Sequence, residues 1–114
     1  PKKQRGIIEF SDPFTVKLRR NEGVLETETY LLVSLSLEVE SPEVQSKMTG
    51  DPAVMAIIED VINTFFAGRY PQQLETPQWS RIKEELKARI NEKFSKEYQI
   101  NNIYFHDFLI QPGG

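Results

Sequence analysis

The sequence predicts an α+β fold, with two main helices packed on one face of a small, mostly antiparallel sheet. Three observations support this prediction. A short and a long segment alternate apolar and polar residues, two later segments repeat apolar residues at helical spacing, and a final segment has strand composition. In chain order they predict strand, strand, helix, helix and strand, an order typical of an α+β domain.

The first two strands are predicted from two-residue alternation. Phe14, Val16 and Leu18 alternate with polar residues, and residues 30–40 continue the alternation over a longer stretch. One face of this longer strand is wholly apolar and carries Leu31, Val33, Leu35, Leu37 and Val39. We expect this face to be covered, the other to be largely wet, and a turn at residues 21–23 to join the strands as an antiparallel hairpin.

Two main helices are predicted after the long strand, preceded by a short helical turn at residues 43–48. Asp51 and Thr76 each precede a proline, which is the pattern of an N-cap followed by proline at the first helical position. The first helix has a wide apolar stripe. Such a stripe fits a helix sandwiched between the sheet and the second helix, or one that also meets a partner. On the second helix, Glu85 and Arg89 are spaced for an ion pair.

Residues 103–110 predict the last strand. They are apolar at both alternating positions, with Ile103, Phe105 and Leu109 on one face and Tyr104, Phe108 and Ile110 on the other. A strand that is apolar on both faces usually lies in the middle of a sheet. We therefore expect this strand to be central.

Length, composition and charge fit one folded domain. The chain has 114 residues, of which 39% are hydrophobic and 27% are charged, with a net charge of -3. A chain of this length can bury a single core. Because nucleic-acid-binding proteins usually present a broad basic face, the acidic balance predicts no nucleic-acid partner.

Charge is unevenly distributed along the chain. The first 20 residues hold six basic and two acidic side chains, a balance of +4, so the remaining residues carry -7. The basic end suits either a solvated terminus or a contact with phosphate or anionic lipid.

No arrangement of residues points to catalysis. The chain has no cysteine, and His106 is its only histidine, which excludes thiol chemistry and disfavours the common metal sites. His106 and Asp107 are adjacent, but neighbours in a strand point to opposite faces. Glu38 and Glu40 share a face about 7 Å apart, a separation that glycosidases use, yet they end an exposed strand face. No serine has an evident histidine partner, and we predict no catalytic residue, metal or cofactor.

Several segments, taken in chain order, form a collinear pattern. They are DPFTVKL at residues 12–18, YLLVSLSLEVE at residues 30–40, the helix after Asp51, L-x-T-P at residues 74–77, RIKEELKARINEKF at residues 81–94 and INNIYFHDFLIQ at residues 100–111. Together they cover about residues 12–111. This pattern resembles the FliL family of flagellar basal-body-associated proteins.

The resemblance implies a domain architecture and a location. FliL proteins have a short cytoplasmic start, one transmembrane helix and a periplasmic domain similar in fold to the SPFH domain of stomatin-type proteins. On this basis residues 1–11 are a juxtamembrane linker, residues 12–111 the FliL periplasmic domain and residues 112–114 a C-terminal tail. The anchoring helix would lie upstream of this chain. The domain would then lie on the periplasmic side of the bacterial inner membrane, at the flagellar basal body.

The resemblance also implies partners and a role. Family members lie beside the MotA/MotB stator units, are thought to form homo-oligomeric rings, and support swarming or motor torque without carrying out a reaction. We therefore expect a non-enzymatic motor accessory protein. The first strand is short and predicted to lie at a sheet edge, where unpaired backbone groups can engage a neighbour. The candidate partner or oligomer interface is Ile7, Ile8, Phe10, Phe14, Val16, Lys17 and Arg19.

Two other functions stay open at the level of the sequence. One is an SPFH-like membrane scaffold unrelated to flagella, which composition does not separate from a motor protein. The other is a small carboxylate-dependent hydrolase, for which Glu38 and Glu40 are the candidate carboxylates.

Overall fold

A computed structural model describes residues 4–20 and 28–112. These residues form strands β1 (Gly6–Glu9), β2 (Phe14–Lys17) and β3 (Thr29–Val39), helices α1 (Pro42–Thr49), α2 (Pro52–Ala67) and α3 (Trp79–Asn91), and strand β4 (Ile100–Pro112). The predicted α+β class is confirmed. The turn predicted at residues 21–23 lies outside the described residues.

Strand β3 is the centre of the antiparallel sheet. β1 pairs with its C-terminal half and β2 with its N-terminal half along one edge, while β4 pairs with the other edge. The predicted antiparallel pairing of the segments at residues 14–18 and 30–40 is therefore confirmed. Gly6–Glu9, within the segment expected to be a juxtamembrane linker, forms a strand of the same sheet.

One core joins the sheet to all three helices. The predicted apolar face of β3 is buried, with no member more than 3% exposed: Leu31, Val33, Leu35, Leu37 and Val39. The helices contribute side chains with no exposed area, namely Met48, Ile58, Ile62, Phe66, Leu86 and Ile90. Helix α2 packs against β2 and α3, which favours the sandwich interpretation of its wide stripe.

Strand β4 lies at an edge of the described sheet, so the prediction of a central strand is wrong. Its register with β3 contains an extra residue at Asn101 and another at His106. Each such β-bulge shifts the phase of side-chain alternation. Phe105 and Phe108 consequently both lie opposite core residues of β3. The apolar pattern on both faces therefore comes from the bulge at His106 and not from burial on both sides.

One of the two predicted helix N-caps is confirmed by the structure. Asp51 caps α2 as predicted, since its carboxylate accepts a hydrogen bond from the backbone N–H of Ala53 at 3.0 Å. The second cap prediction is wrong, because Thr76–Gln78 forms a separate 3-10 turn and α3 begins at Trp79. Trp79 donates its indole N–H to the carbonyl oxygen of Leu74 at 3.1 Å, and this bond fixes the start of α3.

Two further local expectations change in the structure. The helical turn expected at residues 43–48 is the full helix α1. The ion pair predicted between Glu85 and Arg89 is wrong, because Glu85 pairs with Arg81 one turn earlier and with Arg69 beyond the end of α2. The second contact is tertiary, which spacing within one helix does not reveal.

Candidate functional site

The apolar residues of the predicted interface divide between core and surface. Ile8 has no exposed area and Val16 is 5% exposed, so both side chains stabilise the fold. Ile7, Phe10 and Phe14 are half-buried. The rings of Phe10 and Phe14 pack edge to face, with their centroids 5.1 Å apart. These three side chains remain partly accessible beside the outer edge of β1 and β2.

The two cations of the predicted interface already have neighbours within the domain. Lys17 Nζ contacts Glu28 Oε1 at 2.8 Å, and the Tyr30 hydroxyl donates to Glu28 Oε2 at 3.0 Å. The hydrogen bond from Lys17 lowers the pKa of Glu28, and the same bond raises the pKa of Lys17. Arg19 lies with Cζ 5.1 Å from the centroid of the Tyr70 ring.

A second accessible edge lies on β4, which sequence reasoning took for an interior strand. Tyr104, Leu109 and Ile110 on this strand are 38%, 50% and 38% exposed. Within the described residues no strand pairs with the outer edge of β4. The apolar residues of β4 were visible in the sequence, but apolar residues on both faces of a strand occur in central strands and also in strands that form contact surfaces.

The two accessible edges lie on opposite sides of β3. Thr15 of β2 and Leu109 of β4 are both opposite Leu32, so they occupy the same level of the sheet. All three residues share the face that points away from the core, since opposite residues of antiparallel strands lie on one face. Within residues 4–20 and 28–112, an open strand therefore lies on each side of the sheet at matched height.

A serine–histidine contact corrects the expectation that no serine has a histidine partner. Ser36 Oγ and His106 Nε2 are 2.7 Å apart and hydrogen-bonded. The bulge also corrects the expected opposite orientation of His106 and Asp107, because Asp107 lies opposite Ser34, on the same face of β3 as Ser36. No hydrogen bond joins His106 to Asp107 among the described residues, so the arrangement is not a triad.

The buried position of Ser36 limits what this pair can do chemically. Ser36 is 2% exposed, whereas a nucleophilic hydroxyl must reach a substrate carbonyl. The contact joins β3 to the bulge of β4, and it satisfies the buried hydroxyl. Its evident role is to hold the bulge in place.

The two carboxylates considered for a hydrolase, Glu38 and Glu40, have different surroundings in the structure. Glu38 accepts a hydrogen bond from the Tyr104 hydroxyl at 3.3 Å, while Glu40 follows the end of β3 and is exposed. In the described ranges, residues 4–20 and 28–112, no group of three or more His, Cys, Asp or Glu side chains is placed to hold a metal ion.

The comparison with protein families decides the affiliation of the chain. Residues 7–111 match the family described as flagellar basal body-associated protein FliL. The chain belongs to the FliL family. No curated protein sequence matches it significantly.

FliL-family proteins are non-catalytic accessory proteins associated with the flagellar basal body, and this chain is accordingly a basal-body-associated accessory protein. The matched region begins in β1 and ends in β4, so it includes all three helices and the whole described sheet except Gly6 and Pro112. None of the helices in the described part of the chain combines the length and apolarity that a bilayer span requires.

Proposed function

We propose that this FliL-family domain lies on the periplasmic side of the bacterial inner membrane, anchored by a helix upstream of this chain. There it forms a homo-oligomeric ring beside the MotA/MotB stator units and supports motor torque and swarming. The observation that carries this proposal is the family match over residues 7–111. In this proposal residues 12–111 together with strand β1 form the periplasmic domain, and Ile7 and Phe10 lie nearest the membrane and the stator.

The two open sheet edges supply a physical route to a ring. A contact between β2 of one copy and β4 of the next is heterologous, because it uses a different surface on each partner. Heterologous contacts close into rings when the rotation between neighbours allows it. β2 and β4 both run antiparallel to β3. Copies that stand in the same orientation on one membrane would therefore meet through parallel strands.

Side-chain chemistry at the two edges is compatible with this contact. The β2 edge carries Lys17 and continues into Arg19, while β4 carries Asp107 and the exposed Leu109 and Ile110. Cations at an edge strand discourage uncontrolled stacking, but they can pair with an acidic neighbour across the contact. Anchoring every copy to one membrane raises the effective concentration and favours a weak contact of this kind.

Cysteine crosslinking tests the ring contact directly, since the native chain has no cysteine. Thr15→Cys combined with Leu109→Cys places thiols at the same level on the two open edges. On membrane-anchored protein, a bifunctional maleimide should produce ladders of several subunits. Each single variant should give no product beyond a dimer.

A matched control places two thiols on exposed helix positions, Glu59→Cys with Ala88→Cys. This pair should give no ladder. A ladder from the helix pair, or its absence from the strand pair at high surface density, would contradict the edge-to-edge ring.

Motility measurements test the functional part of the proposal. In the full-length protein, Leu109→Arg would add a cation at the level of Thr15, near Lys17 of the next copy, and the repulsion should reduce swarming. Leu109→Ala should have little effect. A fluorescent fusion should co-localise with stator units at flagellar bases. Uniform localisation in the membrane with normal swarming would favour a membrane scaffold unrelated to flagella.

A further inference from the structure

A polar cleft lies where α2 ends and α3 begins. Its volume is about 250 Å³, and its principal polar lining is Arg69, Gln72, Gln73, Gln78, Arg81 and Glu85. Pockets for drug-sized ligands are larger, roughly 300–1,000 Å³. The size of the cleft therefore suits one or two side chains of a bound peptide.

Positive charge exceeds negative charge within this cleft. Glu85 Oε2 accepts from an Arg69 guanidinium N–H at 2.9 Å, and Glu85 Oε1 accepts from Arg81 Nε at 3.0 Å. One carboxylate is thus shared by two guanidinium groups, each of which has five N–H donors. A net positive charge and several donors remain for a second carboxylate.

Arg69 is held in place before any ligand arrives. Its side chain is 23% exposed, and its Cζ lies 4.3 Å from the centroid of the Phe65 ring. Its backbone carbonyl accepts a hydrogen bond from the N–H of Arg19 at 2.9 Å. Because little side-chain freedom is left to lose, a carboxylate would meet a preorganised, partly desolvated guanidinium.

The glutamines add neutral donors around the two arginines. Gln73 Oε1 accepts from the backbone N–H of Tyr70 at 2.9 Å, which directs its amide nitrogen away from that bond. Gln72 and Gln78 make no side-chain hydrogen bond to any residue that the structure describes. Their amides can therefore donate to the remaining lone pairs of a bound carboxylate.

We propose that this cleft is a recognition site for a carboxylate side chain of an acidic protein segment. Planar guanidinium forks match carboxylates bidentately, and the donor-rich wall completes the coordination of such a group. Arg19, stacked on Tyr70 next to Arg69, extends the positive charge toward a neighbouring acidic residue of the same segment. Arg69 and Arg81 lie on the helical side of the domain and not on a sheet edge, whereas Arg19 borders both this cleft and the ring contact.

Titration of the isotope-labelled domain with a capped glutamate-rich peptide tests this site. The side-chain amide resonances of Gln72 and Gln78 should shift with saturation, and the glutamine version of the peptide should leave them unchanged. Arg81→Gln should weaken binding by about tenfold or more, as expected for the loss of a charge-assisted hydrogen bond. Arg81 is 78% exposed, so this variant should retain the fold.

Two matched variants distinguish a site that requires a planar guanidinium group from general electrostatic attraction to the domain. Lys93→Gln removes the same charge from an exposed position elsewhere on the α3 side of the domain and should leave affinity nearly unchanged. Arg69→Lys keeps the charge but loses the planar fork, and it should weaken binding as Arg81→Gln does. Equal losses in the Lys93 and Arg81 variants, shifts produced as well by inorganic phosphate alone, or no saturable binding would each overturn the proposal.

Discussion

Lys17 shows how a single exposed side chain is constrained before any partner binds. Its ammonium group contacts Glu28, which also accepts a hydrogen bond from Tyr30. A partner that uses Lys17 must compete with Glu28, whereas Arg19 keeps donors available while its guanidinium lies over Tyr70. We therefore expect Arg19 to contribute more than Lys17 to any contact at this edge.

The Lys17–Glu28 pair predicts a specific pH dependence. The lowered pKa of Glu28 stabilises the fold above the ordinary value of 4.5, and this contribution is lost as pH falls through the folded pKa. The raised pKa of Lys17 stabilises it below 10.5, and this contribution is lost as pH rises through the folded value. Wild type should therefore be slightly more stable than Glu28→Gln near neutral pH.

Urea unfolding of both proteins at neutral pH and well below pH 4.5 measures this difference. The difference in free energy of unfolding should shrink in acid, because Glu28 becomes protonated and loses its charge. It should also shrink in high salt, because both side chains are exposed and salt screens their attraction. A difference that is as large in acid as at neutral pH would show that charge pairing is not its cause.

Two leucines test which face of the sheet forms the core. Leu35 is 3% exposed and Leu109 is 50% exposed. Leu35→Ala should lower the free energy of unfolding by about 2–5 kcal/mol, the usual cost of removing a buried leucine side chain. Leu109→Ala should change it by less than about 0.5 kcal/mol. Similar losses in chemical denaturation would mean that Leu109 is buried in solution, for example by a second copy.

Among the secondary-structure elements, β4 differs most from a regular strand. Its bulge at His106 lets the strand keep apolar residues on the core side along its whole length. The contact between Ser36 and His106 ties this bulge to β3. Bulges also make an edge strand a poorer template for uncontrolled pairing, so the same feature limits which neighbour β4 accepts.

A double-mutant cycle tests whether the Ser36–His106 contact stabilises the bulge. His106→Ala leaves the Ser36 hydroxyl buried without this partner and should cost about 1–3 kcal/mol. Ser36→Ala combined with His106→Ala should cost less than the two single changes added together, because neither polar group is left unsatisfied. Additive free energies of unfolding would show that the two side chains are not coupled.

Close packing between α1 and β1 depends on a glycine. A Cβ at Gly6 would lie 2.8 Å from Gln45 Cβ and would also clash with the backbone of Ser41. Gly6→Ala should destabilise the domain by about 1–3 kcal/mol, the usual cost of overpacking. At Gly68 a Cβ would meet other atoms only at 3.8 Å, which is ordinary contact.

Gly68→Ala is therefore the matched control for Gly6→Ala, and thermal unfolding compares the two. The control should be neutral or slightly stabilising, because alanine restricts the unfolded chain. If Gly6→Ala were as stable as the control, β1 would not pack on α1 in solution.

The whole molecule is elongated, with principal dimensions of 55 × 28 × 23 Å. The central strand β3 separates two open edges, and the arginine cleft lies among the helices. Arg69 and Arg81 of the cleft therefore lie away from the two open edges, and Arg19 lies between the cleft and the β2 edge.

The isolated domain should be monomeric in dilute solution and assemble only when confined to a membrane. A weak edge contact has little strength on its own, but tethering raises the effective concentration. Sedimentation of the free domain and imaging of domains tethered to a supported bilayer measure the two states. Tethered copies that stay monomeric at high density, with and without stator units, would contradict the ring.

The sequence by itself determined the features that depend on neighbouring residues. The buried face of β3 follows from two-residue alternation, since strand side chains point to alternate faces. The start of α2 follows from Asp51, whose cap is a hydrogen bond to a residue two positions away. The collinear segments also identified the FliL family, which the match over residues 7–111 supports.

Only the tertiary structure decided the features that depend on residues distant in sequence. Whether β4 lies at an edge is a matter of which strands pair, and its bulge shifts the alternation from which burial is predicted. The Ser36–His106 contact spans 70 positions and the Arg69–Glu85 pair spans 16. Periodicity describes one element at a time, so it cannot show contacts that are created when separate elements pack together.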